Sequence, residues 1–171
     1  MFQAGDLVVY HTTGVCRVEA IAAPNMTGAD PNKLYYQLKP LQQDGVIYCL
    51  VDHPKVRIRP VISREEALAL IDLIPTIRAE GCHAATQQAL AQRYQEAIHS
   101  GSGRDLLEMM MSIHAKQRQA EMQKRRLGLV DERYMKQAER LLHGELAAAL
   151  GISFEEVPAY IAGRMAEKEP M

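Results

Sequence analysis

Two hydrophobic rhythms meet near Ser63. Before it, apolar and polar positions alternate with a period of two over short runs, the pattern of strands. Val8 and Tyr10 share one face of the first run, Leu7 and Val9 the other. Cys16, Val18 and Ala20 alternate in the second run with Val15, Arg17, Glu19 and Ile21. His11-Thr-Thr-Gly14 reads as the hairpin connection between them, Gly14 supplying a backbone angle other residues resist. Pro24 to Asn32 is rich in turn formers and reads as a loop. Three further β-type runs follow in YYQLKPL (Tyr35 to Leu41), Gly45 to Val51, and VRIRPVI (Val56 to Ile62). Five short strands in about 60 residues suggest a small, curved barrel of the SH3 or Tudor kind.

After Ser63 the period lengthens to that of helices. Ser63-Arg-Glu-Glu66 is a capping box, and Ala67, Leu68, Leu70, Ile71 and Ile74 form an apolar stripe that Pro75 closes. A second helix is expected from about Thr86 to His99, stopping at Ser100-Gly-Ser-Gly103, the one tract that resembles a flexible linker. A third should span roughly Asp105 to Arg126 and end at Gly128. The fourth starts near Asp131, carries Tyr134, Ala138, Leu141, Leu142, Leu146 and Ala149, and stops at Gly151. Ser153-Phe-Glu-Glu156 resembles another capping box opening a short last helix, with Pro158 awkwardly deep in it. The expected class is α+β: a barrel over residues 1–62, then an all-α domain over 63–171.

Composition narrows the function. At 171 residues, 47% hydrophobic and 24% charged, the chain is globular. No apolar run approaches the roughly 20 residues that span a bilayer, and the N-terminus lacks the pattern of a signal peptide. Cys16, Cys49 and Cys82 form neither CxxC nor a His-paired cluster. They fit a reducing cytoplasm and argue against a disulfide framework or a metal site. A net charge of -1 gives no global attraction to nucleic acid, so such a partner must be met by a local patch.

Candidate chemistry is sparse. His11 and Cys16 flank a turn, but no carboxylate stands to orient the imidazole, and Cys16 sits in an apolar row. Core cysteine and surface histidine is the simpler reading, and it extends to Cys49 and Cys82. With no GxSxG, HExxH, P-loop or GxGxxG, nothing supports an enzyme or a bound cofactor. Glu65, Glu66, Glu155 and Glu156 belong to helix first turns, where they complement the helix dipole. Met109, Met110 and Met111 could form an adaptable surface, yet Met110 with Leu106 and Ile113 makes an ordinary core stripe. Between Arg93 and Arg140 ten basic residues face seven acidic ones, and HAKQRQAEMQKRR (His114 to Arg126) holds five of the former. That suits weak, salt-sensitive phosphate contact, although Lys116, Arg118 and Arg125 do not share one helical face. Val46-Ile47-Tyr48 is β-prone and uncharged. It is either an interior strand or an unpaired edge open to strand addition.

In order and spacing these segments resemble the CarD/CdnL family of bacterial transcription regulators. The resemblance is carried by FQAGDLVVYHTTGVCRVEAI, YYQLKPL, VRIRPVISREEA, RYQEAIHSGSGRDLLEM and AERLLHGELAAALGIS. It implies a Tudor-like RNA-polymerase-interacting barrel, similar to one in transcription-repair coupling factor, that binds the polymerase β subunit through Val46, Ile47, Tyr48, Cys49 and Leu50. It also implies a helical domain that touches promoter DNA beside the melted region through Leu90, Arg93, Gln95 and Arg133, stabilising the open complex in a cytoplasmic, nucleoid-associated protein. Several positions depart from the family pattern. Tyr48 stands where some relatives carry arginine, and Leu50 where proline is frequent. Leu90 takes the place of a tryptophan used as a wedge. Gln92 and Gln95 stand where basic residues are common, and Asp131-Glu-Arg133 replaces a more basic turn. Two other readings stay open: a Tudor/KOW-type RNA-binding module, and a polymerase adaptor that makes no DNA contact.

Overall fold

The computed structural model describes residues 2–11, 13–23, 32–52, 54, 56–78, 80–81, 83–100 and 102–168. Cys82, His53 and most of the loop expected between Pro24 and Asn32 lie outside the described residues. The chain divides into two compact units, Met1–Ile62 and Ser63–Met171, and the fold is α+β.

The first unit is a five-stranded antiparallel sheet: β1 (Leu7–Tyr10), β2 (Gly14–Ala22), β3 (Tyr35–Pro40), β4 (Ile47–Leu50) and β5 (Ile58–Pro60). Their order is β4-β3-β2-β1-β5. The β1–β2 hairpin pairs Tyr10 with Gly14. Positive φ at His11 (37°) and Gly14 (101°) turns the chain there. Val8, Cys16, Val18, Tyr36, Leu38 and Cys49 are buried together on one face of the sheet, with Tyr10, Ile21 and Ile58 packed against them.

One departure from strict alternation shapes this core. Val18 pairs with Leu38 but Ala20 pairs with Gln37, so Glu19 is an extra residue opposite no partner. Such a bulge reverses the phase of everything after it. Ile21, opposite buried Tyr36, therefore joins the core in place of Ala20. The last strand is also shorter than its apolar run, only Ile58–Pro60 of the segment Val56 to Ile62.

The second unit packs five helices: α1 (Arg64–Leu73), α2 (Gln87–His99), α3 (Gly103–Met122), α4 (Leu129–Leu150) and α5 (Val157–Lys168). The capping box at Ser63 is complete: its hydroxyl accepts from the Glu66 amide at 3.1 Å and its own amide donates to Glu66 at 3.4 Å. Pro75 falls in the short 3-10 turn that ends α1.

Three boundaries differ from expectation. Gly103 is the first residue of α3, capped by Ser102; a Cβ there would lie 2.8 Å from Leu70, so the glycine permits close packing against α1. The α3 helix stops at Met122, with Lys124 at φ 56°, so Lys124, Arg125 and Arg126 belong to the connection, and Gly128 caps α4 rather than ending α3. The Ser153 capping box encloses only the 3-10 turn Phe154–Glu156. Because α5 begins at Val157, Pro158 occupies its first turn, where a missing amide hydrogen removes no helical bond.

Candidate functional site

In the sheet unit the site is a backbone feature. Among the described residues β4 pairs only with β3, through Leu38–Ile47, Gln37–Tyr48, Tyr36–Cys49 and Tyr35–Leu50. It is an edge strand, which answers the question its sequence leaves open. The alternation of strand side chains sorts the five expected docking residues. Val46 and Tyr48 are exposed, at 50% and 36%. Cys49 is buried in the core and Ile47 packs against it, while Leu50 is half-buried. The outward face of the edge is thus Val46 and Tyr48; Ile47 and Cys49 anchor the strand from behind. Behind the edge lies a depression of about 270 Å3 lined by Tyr10, Tyr35, Tyr48, Cys49, Leu50 and Val56.

The buried thiols sit in poor settings for nucleophilic chemistry. Burial pushes the Cys16 thiol up to about 11, and raises that of Cys49 as well. A thiol held protonated is a poor nucleophile. Burial, then the neighbouring Cys49 and Cys16, also raises the phenol of Tyr10. His11, at the turn, occupies a left-handed backbone position.

In the helical unit the structure brings α2 and α4 side by side and assembles Gln95 and Arg133 around one aromatic ring. The Gln95 amide donates to the Tyr134 hydroxyl at 2.9 Å, and the Arg133 guanidinium lies 5.3 Å from the Tyr134 ring centre. Arg93, exposed on α2, donates to the carbonyl of His83 at 3.5 Å. Leu90 does not join them at the surface. It is 8% exposed, inside the helical core with Tyr94 and Ile98 of the same face.

Beneath this surface lies a polar network that the sequence does not announce. Asp131, 4% exposed, accepts from Lys116 Nζ at 2.8 Å and 2.9 Å and from the Tyr94 hydroxyl. The Tyr94 and Tyr134 rings are 5.6 Å apart. Lys116, counted in the basic tract, is therefore committed to a buried partner, and its side chain is only 12% exposed. Asp131 ties α2, α3 and α4 together. The signal available in the sequence was an acidic residue in the first turn of α4, which capping alone would explain.

No helix among the described residues is long and apolar enough to cross a membrane. No curated protein matches the chain. Residues 2–62 match the family model of the CarD-like/TRCF RID domain. The sheet unit, in which β4 is an outer strand among the described residues, is a CarD-like RNA-polymerase-interacting domain, and the chain is a transcription-related protein.

Proposed function

We propose that this chain is a non-enzymatic transcription regulator that docks on the β subunit of RNA polymerase through the edge of β4. In this reading the helical unit touches promoter DNA next to the melted region through Arg93, Gln95 and Arg133, and prolongs the open complex. The observation that carries the reading is the β4 edge, unpaired among the described residues, on a domain of the RNA-polymerase-interacting family. An edge strand offers a row of backbone donors and acceptors to an incoming strand, and exposed Val46 and Tyr48 add side-chain grip. Tethering raises the local concentration of DNA, so a weak helical contact suffices.

Leu90 is not kept as a wedge, because inserting it into DNA would mean pulling a core residue out of the bundle. The same burial, with Lys116 already paired, favours the second reading: an adaptor that grips polymerase and makes no DNA contact.

The test uses the full-length chain, purified polymerase and a promoter fragment. Val46→Glu with Tyr48→Glu should weaken polymerase binding at least about tenfold, or ~1.4 kcal/mol. Both positions are exposed, whereas a charge at Ile47 would strike the core and confound binding with folding. Arg93→Ala with Arg133→Ala should leave polymerase affinity unchanged, shorten open-complex lifetime, and lower the salt slope of promoter retention by about two phosphate contacts. Unchanged lifetime in that variant points to the adaptor reading. RNA binding without polymerase binding points to an RNA-binding module.

A further inference from the structure

An apolar cavity of the helical unit has a carboxylate at its wall. It encloses about 350 Å3 between α1, α3, α4 and α5, within the range of small-molecule sites. Leu70 and Ile74 of α1 and Ile161 of α5 supply aliphatic walls. Four methionines, Met110, Met111, Met135 and Met165, line it too, side chains that reshape readily around a guest. Met110 is buried, while Met111, Met135 and Met165 are half-exposed to the opening.

The polar groups at this cavity are few: Glu139 and His143 on α4, one turn apart, and His114 exposed on α3. Glu139 is half-buried, and its carboxylate has no hydrogen bond or ion pair with a described residue. Burial holds the His143 imidazole below its usual range, with Glu139 pulling the other way. A neutral ring does not compensate the carboxylate. Glu139 and Met135 also border a second depression, where Arg125, Arg126 and Lys136 stand with Glu121 and Glu132. Those three cations are exposed, and none is ion-paired to Glu139. A carboxylate at the wall of an apolar chamber favours a guest with an apolar body and a cationic head.

We propose that this cavity is a binding site for a small cationic amphiphile: an organic ammonium whose hydrocarbon body lies among the methionines and whose head meets Glu139. Occupancy would brace α5 against α1, α3 and α4, adding to the two-pronged Arg164–Asp72 pair at 2.9 Å and 3.0 Å. The site is independent of the β4 edge and of the proposed DNA surface.

The test uses the full-length chain with 13C-labelled methionine methyl groups, titrated with octylammonium, 1-octanol and octanoate. Octylammonium should give saturable shifts at Met110, Met111, Met135 and Met165. Met122, 85% exposed and outside the cavity, should stay silent. The alcohol should bind about tenfold more weakly, about 1.4 kcal/mol, and the anion more weakly still. Glu139→Gln should bring amine and alcohol to the same affinity. Ile161→Trp, which fills the chamber, should remove the response to all three; the Glu139→Gln comparison stands even if that variant misfolds. Equal affinity of the native chain for amine and alcohol, a preference for amine that survives Glu139→Gln, or shifts at Met122 equal to the rest would overturn the proposal.

Discussion

The two units solve burial in opposite ways. The sheet unit hides an apolar cluster whose buried described residues include two thiols and the hydroxyl of Tyr36, which accepts from the Phe2 amide at 3.0 Å. The helical unit buries an ionised pair and a phenol, Lys116, Asp131 and Tyr94, where three helices meet. An apolar cluster is non-directional and leaves the backbone edge of the sheet open to change. A charged pair is directional and fixes which helical turns face one another. The lesson is that mutational sensitivity and functional importance need not coincide. In the sheet unit the exposed edge is tolerant to change, yet it is the surface proposed to dock. In the helical unit the surface residues rest on a network that tolerates little.

The sharpest way to break this contrast is Lys116→Met. It leaves the Asp131 carboxylate buried without its cation and should destabilise the helical unit by about 3–5 kcal/mol. The double variant Lys116→Met with Asp131→Leu should recover most of that loss, because an apolar pair of similar volume needs no counter-charge. Chemical denaturation followed by hydrogen exchange, resolved by unit, reads both; failure of the double variant to recover would mean that the network holds helix register as well as charge. Leu38→Ala in the sheet unit should come next, at about 2–5 kcal/mol, since Leu38 is fully buried. Here the same exchange measurement should localise the loss to β1 through β5.

The smallest effect belongs to the thiols. Folding raises the Cys16 pKa to about 11, so the unfolded chain gives up its thiol proton first. Stability of the sheet unit is therefore full below the ordinary thiol range and falls as pH rises through it toward 11. Cys16→Ser should flatten that alkaline decline. A decline of the same slope in the variant would assign it to Cys49 and Tyr10, both of which shift in the same direction.

Sequence patterning carried some of this and not the rest, for physical reasons. Capping at Ser63 was readable because the box is made within four consecutive residues. So was the αL stop at Gly151, where one residue type answers a local backbone demand. The bulge at Glu19 was not: alternation before and after it looks continuous in a string of letters, and only pairing with β3 reveals the extra residue. The early end of α3 was missed because Gln123, Lys124 and Arg125 are good helix formers, and no glycine marks the positive φ that Lys124 adopts. Tyr94, Lys116 and Asp131 are spread over 37 residues on three helices, beyond the reach of any local signal. Within the expected sites, composition marked β4 as a strand but left its place in the sheet open, and both that place and the burial of Leu90 needed neighbours in space.

The free edge also bears on how the protein behaves when it is concentrated. A strand that welcomes a partner will also welcome another copy of itself, the first step toward ordered aggregation. β4 limits that hazard by its length, four residues from Ile47 to Leu50, with exposed Asp44 ahead of it and exposed Asp52 behind. The opposite edge, β5, is three residues long, contains Arg59 and ends in Pro60, which has no amide hydrogen to offer. Charge and brevity at both rims act as gatekeepers. Lengthening β4 by replacing Asp44 and Asp52 with β-branched residues would turn a short, charge-flanked edge into a self-templating one.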